Sequence, residues 1–178
     1  MFNSMEISHL IEQNKNLIHV GNIHNKNGKW KVDYVCDSII QNKNNGRIYL
    51  IVVDDIIYKI GCSESKGGIR NTFGSYQGGL GGSPSLRTFG IHKLIQEQID
   101  LGKKIQIYAL FIDPIEVVIH GLVSSVHKTT YPQIKEMENA CREDYKKVYG
   151  KYPQWNFQEN IEQFPEHIKN AFKEYITK

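Results

Sequence analysis

Along the chain, apolar residues change from helical spacing to alternation and back several times. Ile7, Leu10, Ile11, Leu17 and Ile18 recur at helical intervals and predict an amphipathic first helix, with residues 22–28 reading as loop. Residues 29–35 alternate Trp30, Val32 and Tyr34 with polar partners, as a half-buried strand does. After a polar break at 42–46, the β-branched and aromatic runs 48–53 and 56–61 flank Asp54-Asp55, which predicts a hairpin. A glycine-rich stretch, 67–82, places Arg70, Phe73 and Tyr76 at three-residue intervals and predicts a short helix followed by a flexible loop. Ser83-Pro84 then opens a helix with Ile91, Leu94, Ile95 and Ile99 on one face, stopping at Gly102. Strand character returns over 104–112 and ends at Asp113-Pro114; a helix follows from about Pro132 to Tyr149, with Gly150 as its stop. A final helix is expected over 159–175, interrupted near Pro165. No internal repeat is evident.

Two of these elements bear on chemistry. Side chains alternate along a strand, so the hairpin's register decides what Tyr49 faces. A two-residue turn puts Tyr49 and Tyr58 on one face and Lys59 on the other; a three-residue loop puts Tyr49 opposite Lys59. Both remain open at this level. In the 132–149 helix, Ile134, Met137, Cys141, Tyr145 and Val148 form one stripe, and Glu138 falls inside it. A carboxylate on an inward face is costly to bury without a cation, so Glu138 calls for a metal or a basic partner.

At 178 residues the chain suits one domain with a terminal arm. Its three cysteines, Cys36, Cys62 and Cys141, are scattered and odd in number, which argues against a disulfide framework or a Cys-x-x-Cys zinc site and suits a reducing cytoplasm. Residues 1–18 lack the pattern of a secretory leader, and no run approaches the ~20 apolar residues of a membrane span. The net charge of +3 permits a polyanionic partner without arguing for one. The glycines do not precede the Gly-Lys-Ser/Thr ending of a phosphate-binding P-loop, and the seven histidines show no His-x-x-x-His spacing.

In chain order, Arg47-Ile48-Tyr49, Tyr58-Lys59-Ile60-Gly61, Arg70, Glu138 and Pro153-Gln154-Trp155-Asn156 together resemble the GIY-YIG nuclease superfamily. The similarity spans about residues 47–156. Ile48-Tyr49 matches the end of the first motif, with Arg47 where glycine is usual. Lys59-Ile60-Gly61 matches the second motif with lysine in place of tyrosine, as in some small type II restriction enzymes. Arg70 aligns with the catalytic arginine, Glu138 with the metal-binding glutamate and Asn156 with a late asparagine that helps hold the site. Taken singly, the tyrosines are ordinary strand residues, Arg70 and Lys59 ordinary surface or edge charges, and Glu138 half of a structural ion pair. It is their joint order that carries the resemblance.

The resemblance implies an α/β (α+β) fold: a small antiparallel three-stranded sheet flanked by helices. It divides the chain into an N-terminal helix and strand arm (1–45), a nuclease core (46–158) and a C-terminal helix (159–178). It implies a sequence-specific endonuclease of restriction type acting on double-stranded DNA, dependent on Mg²⁺ with Mn²⁺ as a substitute, and leaving 5′-phosphate and 3′-hydroxyl ends. Tyr49 would take a proton from water with help from Lys59 or Tyr58, Arg70 would hold the phosphate, and Glu138 would ligate the metal. Lys66, Arg87 and His92 lie near the glycine-rich loop as contacts to DNA. A palindromic target would call for a homodimer, with the segments before Gly46 and after Asn156 as dimer contacts or DNA-embracing arms. A mobile-element or repair nuclease of the same superfamily, or a catalytically silent nucleic-acid-binding module, are the competing expectations.

Overall fold

The computed structural model describes residues 7–113, 115–123, 125–131 and 133–177. Pro114 and Pro132, expected to end one strand and open one helix, lie outside the described residues, as do the first six residues of the N-terminal arm and the last residue of the C-terminal helix. In chain order the elements are α1 (Ile7–Gln13), β1 (Ile18–Lys26), β2 (Lys29–Tyr34), α2 (Ser38–Gln41), β3 (Arg47–Val53), β4 (Ile56–Ser63), α3 (Gly68–Gln77), α4 (Leu86–Asp100), β5 (Ile105–Phe111), β6 (Ile115–His120), β7 (Val126–Tyr131), α5 (Ile134–Tyr149) and α6 (Glu166–Ile176).

The main sheet has five strands in the order β2-β1-β5-β3-β4, every neighbouring pair antiparallel. This corrects the expected three-stranded sheet. β3, β4 and β5 are present, and β1 and β2 extend the same sheet through the β1–β5 pairing. The stretch 22–28, expected as loop, lies mostly within β1, whose polar Asn22 and His24 alternate with buried Ile23. A register shift between His19 and Gly21 disrupts the strand's alternation and hides it in the sequence. The β1–β2 connection is a two-residue Asn27-Gly28 turn, both residues with positive φ (56° and 76°), a backbone shape that suits these two residue types.

Helices cover both faces of the sheet. On one, Phe73 and Tyr76 of α3, Phe89, Ile91 and Ile95 of α4 and Ile168 of α6 pack on Tyr49, Ile51, Val53, Ile105 and Ile107. On the other, Ile7 of α1 and Ile134 of α5 close over Ile48, Leu50, Val52, Ile57 and Ile60, with Met137, Cys141 and Tyr145 beside them. All seven residues of β3 are buried, because helices cover it on both sides and strands flank it. Ser85 caps α4 by accepting from the Thr88 amide at 3.2 Å, so that helix begins two residues later than Ser83-Pro84 suggested. Residues 157–161 form turns, 162–165 are irregular, and α6 starts only after Pro165. The β6–β7 hairpin forms a separate two-stranded sheet.

Candidate active site

The β3–β4 hairpin takes neither of the two simple registers. Its turn is Asp54-Asp55, both left-handed at φ 46° and 66°, with Lys103 donating to Asp54 at 2.7 Å. Val52 pairs with Ile57, but Ile51 pairs with Lys59, so Tyr58 is the extra residue of a β-bulge. The bulge puts Lys59 on the face that carries Ile51 and Tyr49, and Gly61 directly opposite Tyr49. Tyr58 packs with the same core and lies edge-on to Trp155, ring centres 5.1 Å apart.

Gly61 is required by its neighbour. A Cβ there would lie 2.4 Å from Cζ and Oη of Tyr49, whose ring crosses the space a side chain would fill. Tyr49 is buried, meets Phe73 edge-on, and shares a 2.6 Å hydrogen bond between its hydroxyl and that of Tyr76. Burial first, and the adjacent Tyr76 second, hold the Tyr49 phenol well above its ordinary pKa. Burial raises Tyr76 too. Opposing this is Arg87, in the first turn of α4, whose guanidinium lies in hydrogen-bonding reach of Tyr76 and favours ionisation of both phenols.

Lys59 is 3% exposed, and its ammonium reaches the Trp155 carbonyl at 3.5 Å. Burial, then repulsion from Arg87, push its pKa down to about 7, while Glu138 pulls the other way. Glu138 comes from α5 on the opposite face of the sheet and meets the β4 edge at Cys62, whose thiol donates to Oε2 at 3.1 Å. Burial, and next that hydrogen bond, push the Cys62 thiol up to about 12, so it remains a donor. Arg142 lies 3.7 Å from Glu138 Oε1 but is drawn into a closer ion pair with Glu159.

The tail 153–156 seals the outer edge of β4. Asn156 is buried; its Oδ1 accepts from the Ile60 amide and its Nδ2 donates to the Ile60 carbonyl, each at 2.9 Å, while the Trp155 amide donates to Tyr58 O at 2.7 Å. Asn156 therefore acts on the backbone that carries Lys59 and Gly61. Between this tail and α4 is a cleft of about 270 Å³, lined by Lys59, Arg87, Trp155, Phe157, Glu159 and Phe164 among others.

The structure thus gathers Tyr49, Lys59, Glu138 and Asn156 around Gly61, with Tyr58 at the margin. It does not bring Arg70 there. The inward residues of α3 are Ile69, Thr72, Phe73 and Tyr76, and Arg70 points outward, over the Tyr34 ring at 5.7 Å. Lys66 is exposed in the loop before α3. His92 is buried against Trp30, with Nδ1 2.9 Å from the Tyr76 carbonyl, and burial lowers its pKa. Arg87, expected as a peripheral DNA contact, is the arginine beside Tyr49 and Tyr76. Tyr76 and Cys62 also escaped the motif reading. The helical phase of Ile69, Phe73 and Tyr76 was the available signal, since these three share one face and Arg70 lies about 100° around the helix from Ile69. Arg47, standing where the motif has glycine, is buried and donates to Asn45 O at 3.1 Å and Ser65 O at 2.7 Å, tying together the segments before β3 and after β4.

For a metal, Glu138 is the available carboxylate; among the described residues no group of three or more histidine, cysteine, aspartate or glutamate side chains converges as a metal-holding cluster. The described residues also include no helix long and apolar enough to cross a membrane.

No protein-family model matches this chain, and no curated protein does. Among solved structures, it is similar to restriction endonuclease HPY188I in complex with product DNA, with a TM-score of 0.50 and 21% identity over 85% of each chain. It is also similar to a mutant of bacteriophage T4 EndoII, with a TM-score of 0.54 and 15% identity over 85% of this chain and 98% of that one. At these identities the likeness establishes a shared fold.

Proposed function

We propose that this chain is a metal-dependent DNA endonuclease of the GIY-YIG type, cutting double-stranded DNA at a defined sequence to leave 5′-phosphate and 3′-hydroxyl ends. The observation that carries the reading is the meeting of Tyr49, Lys59, Arg87 and Glu138 at the β4 edge beside Gly61, from four separate elements. The likeness in fold to a restriction endonuclease in complex with product DNA supports the choice of substrate.

The chemistry follows from the groups present. Water attacks phosphorus as the P–O3′ bond breaks. Tyr49 Oη would take the water's proton while giving up its own, and a phenol held well above its ordinary range needs a base to receive that proton. Lys59, with a pKa of about 7, is a buried amine able to accept near neutrality. Arg87 takes the phosphate-holding role expected of Arg70: its fork of donors suits two non-bridging oxygens and its charge offsets what develops on them. Glu138 would hold Mg²⁺, or Mn²⁺ in its place, which when bound supplies positive charge for the departing 3′ oxygen. The residues fit such an ion: Arg142 is drawn to Glu159, leaving Glu138 without a tight ion pair, and Mg²⁺ commonly takes one or two carboxylates alongside phosphate and water.

Incubating the purified protein with plasmid and Mg²⁺ tests the reading. Discrete fragments are expected. Smears or structure-dependent nicks would point to a loosely targeted nuclease, and binding without strand scission to a silent module.

A further inference from the structure

Arg142 stands between two carboxylates. On α5 it follows Glu138 by one helical turn, and an acid four residues before a base is the favourable order for a local helical ion pair. That local pair is not closed, for Arg142 Nη1 stays 3.7 Å from Glu138 Oε1. The guanidinium is drawn instead to Glu159 Oε1, in the turns beyond the sealing tail, while its Nη2 donates to Asn139 Oδ1. Glu159 is itself steadied from the tail, with Asn156 Nδ2 donating to its Oε2 at 3.5 Å. The asparagine that holds the Ile60 backbone therefore also sets the place of this second carboxylate.

Charge makes the choice of partner matter. The side chains of Arg142, Glu138 and Glu159 are only 14%, 10% and 25% exposed, so water and salt screen them less than a surface pair. Two carboxylates and one guanidinium leave a surplus negative charge, and with Arg142 committed to Glu159 that surplus rests on Glu138. Glu138 Oε2 already accepts from the Cys62 thiol at 3.1 Å, and Oε1 faces Arg142. A guanidinium that closed on Oε1 would leave both oxygens engaged and the carboxylate neutralised.

We infer that Glu159 is a positioning residue, which holds the Arg142 guanidinium off Glu138 and so keeps that carboxylate open to a divalent cation. The inference rests on the proposed metal-dependent reading and adds to it a residue outside the motifs. Glu159 acts through Arg142, and this separates the role from that of an ion pair that merely pins the tail to α5. In a pinning role, loss of Arg142 would compound the loss of Glu159; in a positioning role, it offsets it.

Mn²⁺ binding to the full-length chain without DNA, followed by the electron paramagnetic resonance signal of the free ion, tests this apart from strand scission. Glu159→Gln should weaken Mn²⁺ binding about 10-fold, because the released guanidinium then competes for Glu138. Adding Arg142→Gln to that variant should restore binding to within about 3-fold of the parent. Arg142→Gln alone should bind Mn²⁺ at least as tightly as the parent, and it carries the test should Glu159→Gln fail to give a folded circular dichroism spectrum. Glu159→Gln at the parent affinity, a double variant no tighter than Glu159→Gln, or an Arg142→Gln chain weaker than the parent overturns the inference and leaves Glu138 as the metal carboxylate. Parent binding that Glu138→Gln does not reduce overturns the metal assignment itself, and the inference with it.

Discussion

Gly61→Ala is the smallest change that tests how the sheet positions Tyr49. The added methyl would sit 2.4 Å from Cζ and Oη of the phenol, against roughly 3.4 Å or more in ordinary contact, so the ring must move by about 1 Å. It has little room: Tyr49 is 2% exposed, lies edge-on to Phe73, and is tied to Tyr76 by a 2.6 Å hydrogen bond. Overpacking of this kind costs about 1–3 kcal/mol, and a broken buried hydrogen bond adds about 1 kcal/mol, so a loss of about 2–4 kcal/mol is expected. Displacing the hydroxyl by about 1 Å should also slow cleavage by about 100-fold. Urea unfolding followed by tyrosine and tryptophan fluorescence reads the first number, and single-turnover cleavage of a defined duplex reads the second. A Gly61→Ala protein as stable and as fast as the parent would refute the placement of Tyr49 over Gly61.

Four further outcomes rest on the same geometry. Arg87→Ala should slow cleavage by about 100- to 1,000-fold, whereas Arg70→Ala should stay within about 3-fold of the parent, because only the former sits beside the phenols; the reverse ranking in a single-turnover assay would return the role to Arg70. The cleavage rate should climb about tenfold per pH unit below the Lys59 pKa of about 7 and level off above it. Lys59 also links pH to stability: between about 7 and its ordinary 10.5 the folded chain has lost a proton that the unfolded chain keeps, so its contribution to stability rises with pH across that window. Lys59→Met should flatten that slope in urea melts repeated across the range. Finally, Asn156→Ala strands the Ile60 amide and carbonyl at the β4 edge and should cost about 2–4 kcal/mol in the same unfolding assay, whereas Gln154→Ala, exposed nearby, should cost little.

Much of this arrangement is legible in the chain before any coordinates. β-branched and aromatic runs mark β3, β4 and β5; helical spacing marks α4 and α5 and puts Glu138 on the inward stripe, where it is found 8% exposed. What the pattern conceals has physical causes. A bulge at Tyr58 is a single extra residue with no composition of its own, yet it reverses the parity on which the place of Lys59 depends. The bulge in β1 breaks alternation in the same way, although Asn27-Gly28 between two strands was a readable hairpin turn. A short motif draws attention to the arginine nearest the glycine-rich loop, while α3 aims Phe73 and Tyr76 inward and leaves that position to Arg87 of the next helix. Such substitution across elements is decided by packing between α3 and α4, which sequence spacing does not encode.

On the proposed function, one phosphodiester-cleaving centre lies at the β4 edge, with Glu138 as its metal-holding carboxylate. Its most direct test is Glu138→Gln, which keeps the shape of the side chain and removes its charge. This protein should bind duplex DNA within about 3-fold of the parent while Mg²⁺-dependent scission falls by at least about 1,000-fold. A Glu138→Gln protein that cuts DNA at the parent rate would contradict it.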